Sequence, residues 1–155
     1  PMLAQGSAPD AASARRPVLA IDFGERRIGL AISDPDRRLA LPLGVVERQS
    51  DREAIARLRE LVERETVGLL IVGEPRTPAG ESGPAAERAR RFGERLARAC
   101  RLPCRFVEET LTTVEALARA AQLPRSGRRP GVPVDALAAQ ILLEEAISRG
   151  LVAER

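Results

Sequence analysis

Three acidic residues far apart in the chain, Asp22, Glu109 and Asp135, each stand at the edge of a segment whose pattern predicts regular structure. Asp22 closes the apolar run Val18-Leu19-Ala20-Ile21, just before Phe23-Gly24. A run this short, with β-branched residues and a glycine stop, predicts a buried strand. A carboxylate near the end of such a strand is costly unless hydrogen bonds or a cation compensate it. From this stretch alone two readings stay open: an Asx-type turn, with Asp22 accepting backbone N–H groups around Gly24, or a bound cation. Glu109, with Glu108 beside it, directly follows a predicted strand from Cys104 to Glu108. Asp135, the only Asp after Asp51, opens the last predicted helix. Singly, Asp135 reads as a helix cap or dipole partner and Glu109 as a solvated loop acid. Brought together, the three would repel strongly. A pair of divalent cations ~3.5–4 Å apart would remove that penalty, activate a water and stabilise the leaving oxygen in phosphodiester cleavage. Oxygen-only ligands favour Mg²⁺ or Mn²⁺ over zinc.

Composition excludes the competing chemistries. The 155 residues contain no His, so there is no Ser-His-Asp or Cys-His machinery and no imidazole ligand. Every one of the 25 basic residues is Arg, and the absence of Lys removes the P-loop and Schiff-base classes. Set against 22 acids, this gives a net charge of +3, which permits a polyanionic partner without demanding one. Cys100 and Cys104 flank Leu102-Pro103 and belong to no four-ligand zinc set. They read as packing residues in a reducing compartment. No apolar run approaches membrane-spanning length and no signal-peptide pattern is present, so the expected location is cytoplasmic.

The elements that must position the acids follow from periodicity. Residues 1–16 are mostly small or polar and are expected to form a disordered or adventitious tail, 17–150 a single domain, and 151–155 a C-terminal tail. A short turn, Glu25-Arg26-Arg27, joins the first strand to a second, Ile28 to Ser33, which implies an antiparallel hairpin. A third strand runs from Leu39 to Val46, and Pro42 places it toward an edge. Ser50-x-x-Glu53 is a capping box opening a helix to about Glu65. Val67 to Gly73 is apolar throughout and predicts a strand covered on both faces. A Gly/Pro loop from Glu74 to Gly83 leads to Pro84, which starts a helix to about Cys100 with Ala85, Ala89, Phe92, Leu96 and Ala99 inward. Thr112-x-x-Glu115 opens a helix to about Gln122, and a last helix runs from Val134 to Arg149, stopped by Gly150. Three meandering strands followed by alternating strands and helices predict an α/β fold. Its five-stranded mixed sheet has strands 1–3 antiparallel, strands 1, 4 and 5 parallel, and helices on both faces. In such sheets the site lies beyond the carboxyl ends of the parallel strands.

An ordered set of short motifs then carries a resemblance. Ile21-Asp22-Phe23-Gly24 with Ile28-Gly29-Leu30-Ala31 comes first, followed by Ile71-Val72-Gly73-x-Pro75. Glu109-x-Leu111-Thr112-Thr113 with Glu115-Ala116 and finally Val134-Asp135-x-x-Ala138-Ala139 complete it. Over residues 18–149 the chain resembles the YqgF/RuvX family, described as Holliday junction resolvases and as pre-16S rRNA nucleases of the RNase H-like fold. The resemblance implies Asp22, Glu109 and Asp135 as metal-binding, catalytic carboxylates. It also implies a two-metal nuclease acting on structured nucleic acid, with 5′-end processing of the 16S rRNA precursor as the task and a branched DNA junction as the rival substrate. The chain departs from the family pattern. Glu108-Glu109-Thr110 stands where Asp-Glu-Arg is usual, Glu74 where a Leu is usual, and no Lys precedes Val134-Asp135. Arg76 or Arg128-Arg129 are candidates to replace the lost basic group, and Arg125, Arg128 and Arg129 could contact phosphates flanking the cut. With only Phe23, Phe92 and Phe106 as aromatics, base stacking contributes little, so recognition is expected to depend on backbone shape.

Two other classes compete. The hairpin Asp22-x-Gly24 with Gly29 also resembles the phosphate loop of actin-like ATPases, although those close two such domains over a nucleotide and this chain has room for one. A nucleic-acid-binding protein without catalysis is the third class. Sequence leaves monomer and homodimer equally open.

Overall fold

The computed structural model describes residues 16–77, 79–109 and 131–153. Within them the chain forms β1 (Val18–Phe23), β2 (Arg27–Ser33), β3 (Ala40–Glu47), α1 (Asp51–Glu65), β4 (Leu69–Glu74), α2 (Pro84–Cys100), β5 (Cys104–Glu108) and α3 (Val134–Ser148). The predicted helix from Thr112 to Gln122 lies outside the described residues. The five strands make one sheet in the order β3-β2-β1-β4-β5. β1–β2 and β2–β3 are antiparallel, while β1–β4 and β4–β5 are parallel, as the sequence order implies.

Alternation along the strands splits the core into two layers. Leu19 and Ile21 of β1, Leu70 and Val72 of β4 pack with α1 and α2 through Leu58, Leu61, Phe92 and Leu96. Val18 and Ala20, Leu69 and Ile71 face the other way and pack on α3 through Ala139, Leu142, Leu143 and Ala146. Burial on both faces is why β1 and β4 read as continuous apolar runs rather than as alternating ones. Alanines at 20, 31, 139 and 146 keep the α3 layer thin. The contact is tightest at Gly29, where an added Cβ would lie 1.9 Å from the Asp135 carbonyl oxygen.

Helix boundaries follow their local signals. The Ser50 hydroxyl accepts the Glu53 N–H at 3.2 Å, and Thr66 closes α1 in the left-handed region at φ 55°. α2 spans Pro84–Cys100 as predicted, but Ala85 is exposed and Ala86 is buried in its place, so the inward face is Ala86, Ala89, Phe92, Gly93 and Leu96. Phe92 and Gly93 fix that rotation: Gly93 lies where a Cβ would meet the Phe106 ring at 2.8 Å. Glu74 closes β4 and is buried, rather than opening a loop. β3 is an edge strand carrying Pro42, and Leu43 is the extra residue of a bulge, because Ala31 pairs with Pro42 and Leu30 with Gly44. Cys100 and Cys104 are free thiols, and burial pushes Cys104 up to about 12, which suits packing residues. Beyond Gly150, Leu151 and Val152 pack on the α3 layer, where Arg37 donates to the Val152 carbonyl at 2.9 Å and Arg105 to the Leu151 and Ala153 carbonyls.

Because α3 reaches Asp135 only through the space at Gly29, Gly29→Ala is expected to destabilise the protein by about 1–3 kcal/mol or more. Urea unfolding checks this, and an unchanged midpoint would show that the start of α3 does not lean on β2.

Candidate active site

Strand parity decides which acids at the rim of the sheet face each other. In β1 the residues facing α3 are Val18 and Ala20, so Asp22 faces α3 too. In β4, Leu69 and Ile71 face α3, which puts Gly73 on that side and Glu74 on the other. In β5, Val107 faces α3, and two residues on so does Glu109. A Cβ at Gly73 would lie 2.8 Å from Glu109 Oε1 and 3.2 Å from Leu142 Cδ2, so this glycine makes room for the carboxylate under α3. Asp135 sits in the first turn of α3 above Gly29, and Gly29 is the β2 partner of Asp22. The Glu109 N–H donates to the Glu74 carbonyl at 3.0 Å, which extends the parallel ladder far enough to hold Glu109 at the rim.

The three predicted acids therefore converge electrostatically. Desolvation, followed by the Glu109 charge, a hydrogen bond to Glu109 and the Asp135 charge, pushes Asp22 up to about 8. Desolvation also raises Glu109; its bond to Asp22 acts the other way, and the Glu145 charge adds to the rise. Asp135 is turned to a cation instead: Arg27 Nε lies 3.1 Å from Asp135 Oδ2, with side chains 64% and 35% exposed. An ion pair this exposed is worth about 0–1 kcal/mol, so either partner is readily taken by a competitor. Among the described residues no three acids stand at the spacing that holds an ion.

The arginines predicted near the site divide. Arg76 lies on the α2 face, 3.1 Å from Glu74 Oε1 and 3.2 Å from Glu108 Oε1. Arg90 pairs with the other Glu74 oxygen and lies 4.5 Å above the Phe106 ring. Arg125, Arg128 and Arg129 lie outside the described residues. Two features escaped the sequence reading. Arg27 was assigned to a turn, although its spacing of two from Gly29 puts it on the Asp22 face of β2. Glu145, ten residues along α3 from Asp135, gave no signal without the packing of that helix.

The chain matches the RuvX family, described as Holliday junction resolvase, over residues 16–149. The chain belongs to the RuvX family. A relative from Chloroflexus aurantiacus named "Putative pre-16S rRNA nuclease" is 39% identical over 128 residues, covering 83% of this chain and 84% of the relative. One of the same name from Maridesulfovibrio salexigens is 36% identical over 132 residues, covering 85% and 98%. Thermus thermophilus RuvC, solved in complex with a Holliday junction substrate, is similar in fold at TM-score 0.57 and 21% identity, covering 90% of this chain and 98% of RuvC. The sheet order and these relatives identify the fold as RNase H-like.

The raised Asp22 carboxyl has a defined effect on stability. Its folded value near 8 exceeds the ordinary 3.8, so the native state binds the extra proton between those values and stability falls as pH rises through them. In EDTA, the Tm of the wild type is expected to decline from about pH 4 to pH 8 more steeply than that of Asp22→Asn, which should be the more stable at pH 8. Parallel profiles would show that the Asp22 carboxyl is not desolvated by the fold.

Proposed function

We propose that this RuvX-family chain is a divalent-metal-dependent nuclease that hydrolyses phosphodiester bonds in structured nucleic acid, with the 5′ end of the 16S rRNA precursor as substrate. The observation that carries this is the convergence of Asp22, Glu109 and Asp135 at the carboxyl rim of the parallel strands. The names borne by the curated relatives support the rRNA substrate. The family description favours a four-way DNA junction as the second reading, with the same chemistry.

In donor chemistry three carboxylates suit Mg²⁺ or Mn²⁺, and the glycines at 29 and 73 let Asp135 and Glu109 approach the sheet, although the three acids do not stand at ion-holding spacing in this structure. Asp22, Glu109 and Asp135 would hold such ions, which would supply Lewis-acid activation of water and charge stabilisation of the leaving oxygen. The protein's part is positional. β1 and the extended β4–β5 ladder hold Asp22 and Glu109 on one face, and α3 lowers Asp135 onto them. Because burial and the neighbouring acids raise Asp22 to about 8, a cation held there would favour its ionised form, so binding is expected to release protons near neutral pH.

Recognition is assigned to the sugar–phosphate backbone. Phe23 packs on Phe92 at 4.7 Å between centroids and lies under Arg48, while Phe106 lies under Arg90. All three aromatics are thus committed to the fold, and none is left to stack a base. Among the described residues no helix is long and apolar enough to cross a membrane. A cytoplasmic setting, where precursor rRNA is available, suits the substrate.

Asp22→Asn is expected to lower cleavage by about 10²-fold or more with an unchanged circular dichroism spectrum, and EDTA should abolish wild-type cleavage. The assay compares a 5′-extended 16S-type RNA, single-stranded DNA and a four-way junction in Mg²⁺ or Mn²⁺. Undiminished cleavage by Asp22→Asn would reject the mechanism, and preference for the junction would transfer the substrate assignment to DNA.

A further inference from the structure

The rim holds several arginines, and they differ in what neutralises them. Arg76 lies between Glu74 and Glu108, and Arg90 on Glu74. Arg48 pairs with Asp51 at 2.8 Å and donates to the Glu25 carbonyl, while Arg88 pairs with Glu25. These charges are spent on acids outside the Asp22 cluster. Arg27 is different, because its partner is Asp135 itself.

Its placement is fixed at one end and free at the other. Arg27 pairs with Glu47 across the sheet and lies two residues from Gly29, so β2 presents it on the face that carries Asp22 and Asp135. The turn before it is tight, since a Cβ at Gly24 would lie 2.4 Å from the Arg27 carbonyl oxygen. Arg48 straps that turn through its own N–H to the Arg26 carbonyl at 2.7 Å and its guanidinium to the Glu25 carbonyl at 2.6 Å. The backbone is pinned, yet the Arg27 side chain is 64% exposed and held by one surface ion pair.

We propose that Arg27 is a substrate-phosphate contact parked on Asp135, released when a divalent cation takes that carboxylate and then able to grip a backbone phosphate beside the bond to be cut. The inference rests on the nuclease reading and adds a specificity residue to it. One guanidinium and a divalent cation compete for the same Asp135 oxygens, so metal loading and substrate capture become linked. A freed Arg presents a planar fork that matches two phosphate oxygens, which a Lys cannot reproduce.

The test uses the full chain as wild type, Arg27→Ala, Arg27→Lys and Asp22→Asn. Mn²⁺ affinity is measured calorimetrically on protein alone. Binding of a 5′-extended hairpin RNA is measured in Ca²⁺ across a salt series, and single-turnover cleavage in saturating Mn²⁺. Arg27→Ala should bind Mn²⁺ a few-fold more tightly, because its competitor is gone. The slope of log affinity against log salt should shrink by about one, and cleavage should fall about tenfold. Arg27→Lys should restore the salt slope and only part of the cleavage rate. An unchanged salt slope in Arg27→Ala, or an Mn²⁺ affinity that falls together with Tm, would overturn the proposal and leave Arg27 as a structural brace. Asp22→Asn separates the two levels. If it cleaves like wild type the nuclease mechanism fails, whereas if it is inactive while Arg27→Ala keeps the wild-type slope, only the Arg27 assignment fails.

Discussion

The fold holds like charges together at one rim of the sheet. Asp22, Glu109 and Asp135 are placed by three separate elements, β1, the end of the β4–β5 ladder and α3, so none can withdraw without dislodging packed core. Strand parity aims the first two at α3, and the space at Gly29 lets α3 bring the third down onto them. Burial, followed by the neighbouring Glu109 and Asp135 charges, pushes the Asp22 carboxyl up to about 8. Groups forced away from their ordinary ionisation by burial and by each other are more often found at functional sites than in structural networks.

The opposite face of the same rim supplies a control within the molecule. Glu74 is 5% exposed, and Arg76 and Arg90 both reach it. Losing one partner of such a buried pair typically costs about 3–5 kcal/mol. Arg76 Nε also lies near Glu108, close enough for attraction although no hydrogen bond forms from it. Acids of one kind, a single residue apart in sequence, are thus neutralised by arginines on the α2 side and left short of cations on the α3 side. The α2 side is finished as structure, while on the α3 side only Arg27 reaches an acid of the cluster.

Much of this was readable before any coordinates. The strands, the helix capped by Ser50, the mixed sheet and the edge position of β3 follow from short-range patterns, and short-range patterns decide local structure. What failed was what depends on rotation about an element. Ala85 and Ala86 are equally apolar, and the choice between them rests on packing such as the close approach of Gly93 to Phe106. Glu74 looked like a loop acid because its two arginines come from a loop and from the far side of α2. The convergence of the acids was expected from their positions at element ends and from the family resemblance. The Arg27–Asp135 pair was not, because it joins two elements a hundred residues apart. The candidate contacts Arg125, Arg128 and Arg129, which lie outside the described residues, stand as sequence-based proposals.

The most direct measurement is anomalous diffraction at the manganese edge from crystals soaked in Mn²⁺. Manganese bridging the carboxylates of Asp22, Glu109 and Asp135, with Asp22 no longer bonded to Glu109, is the expected result. Carboxylates that stay apart at full Mn²⁺ loading, with the metal bound elsewhere or not at all, would contradict it.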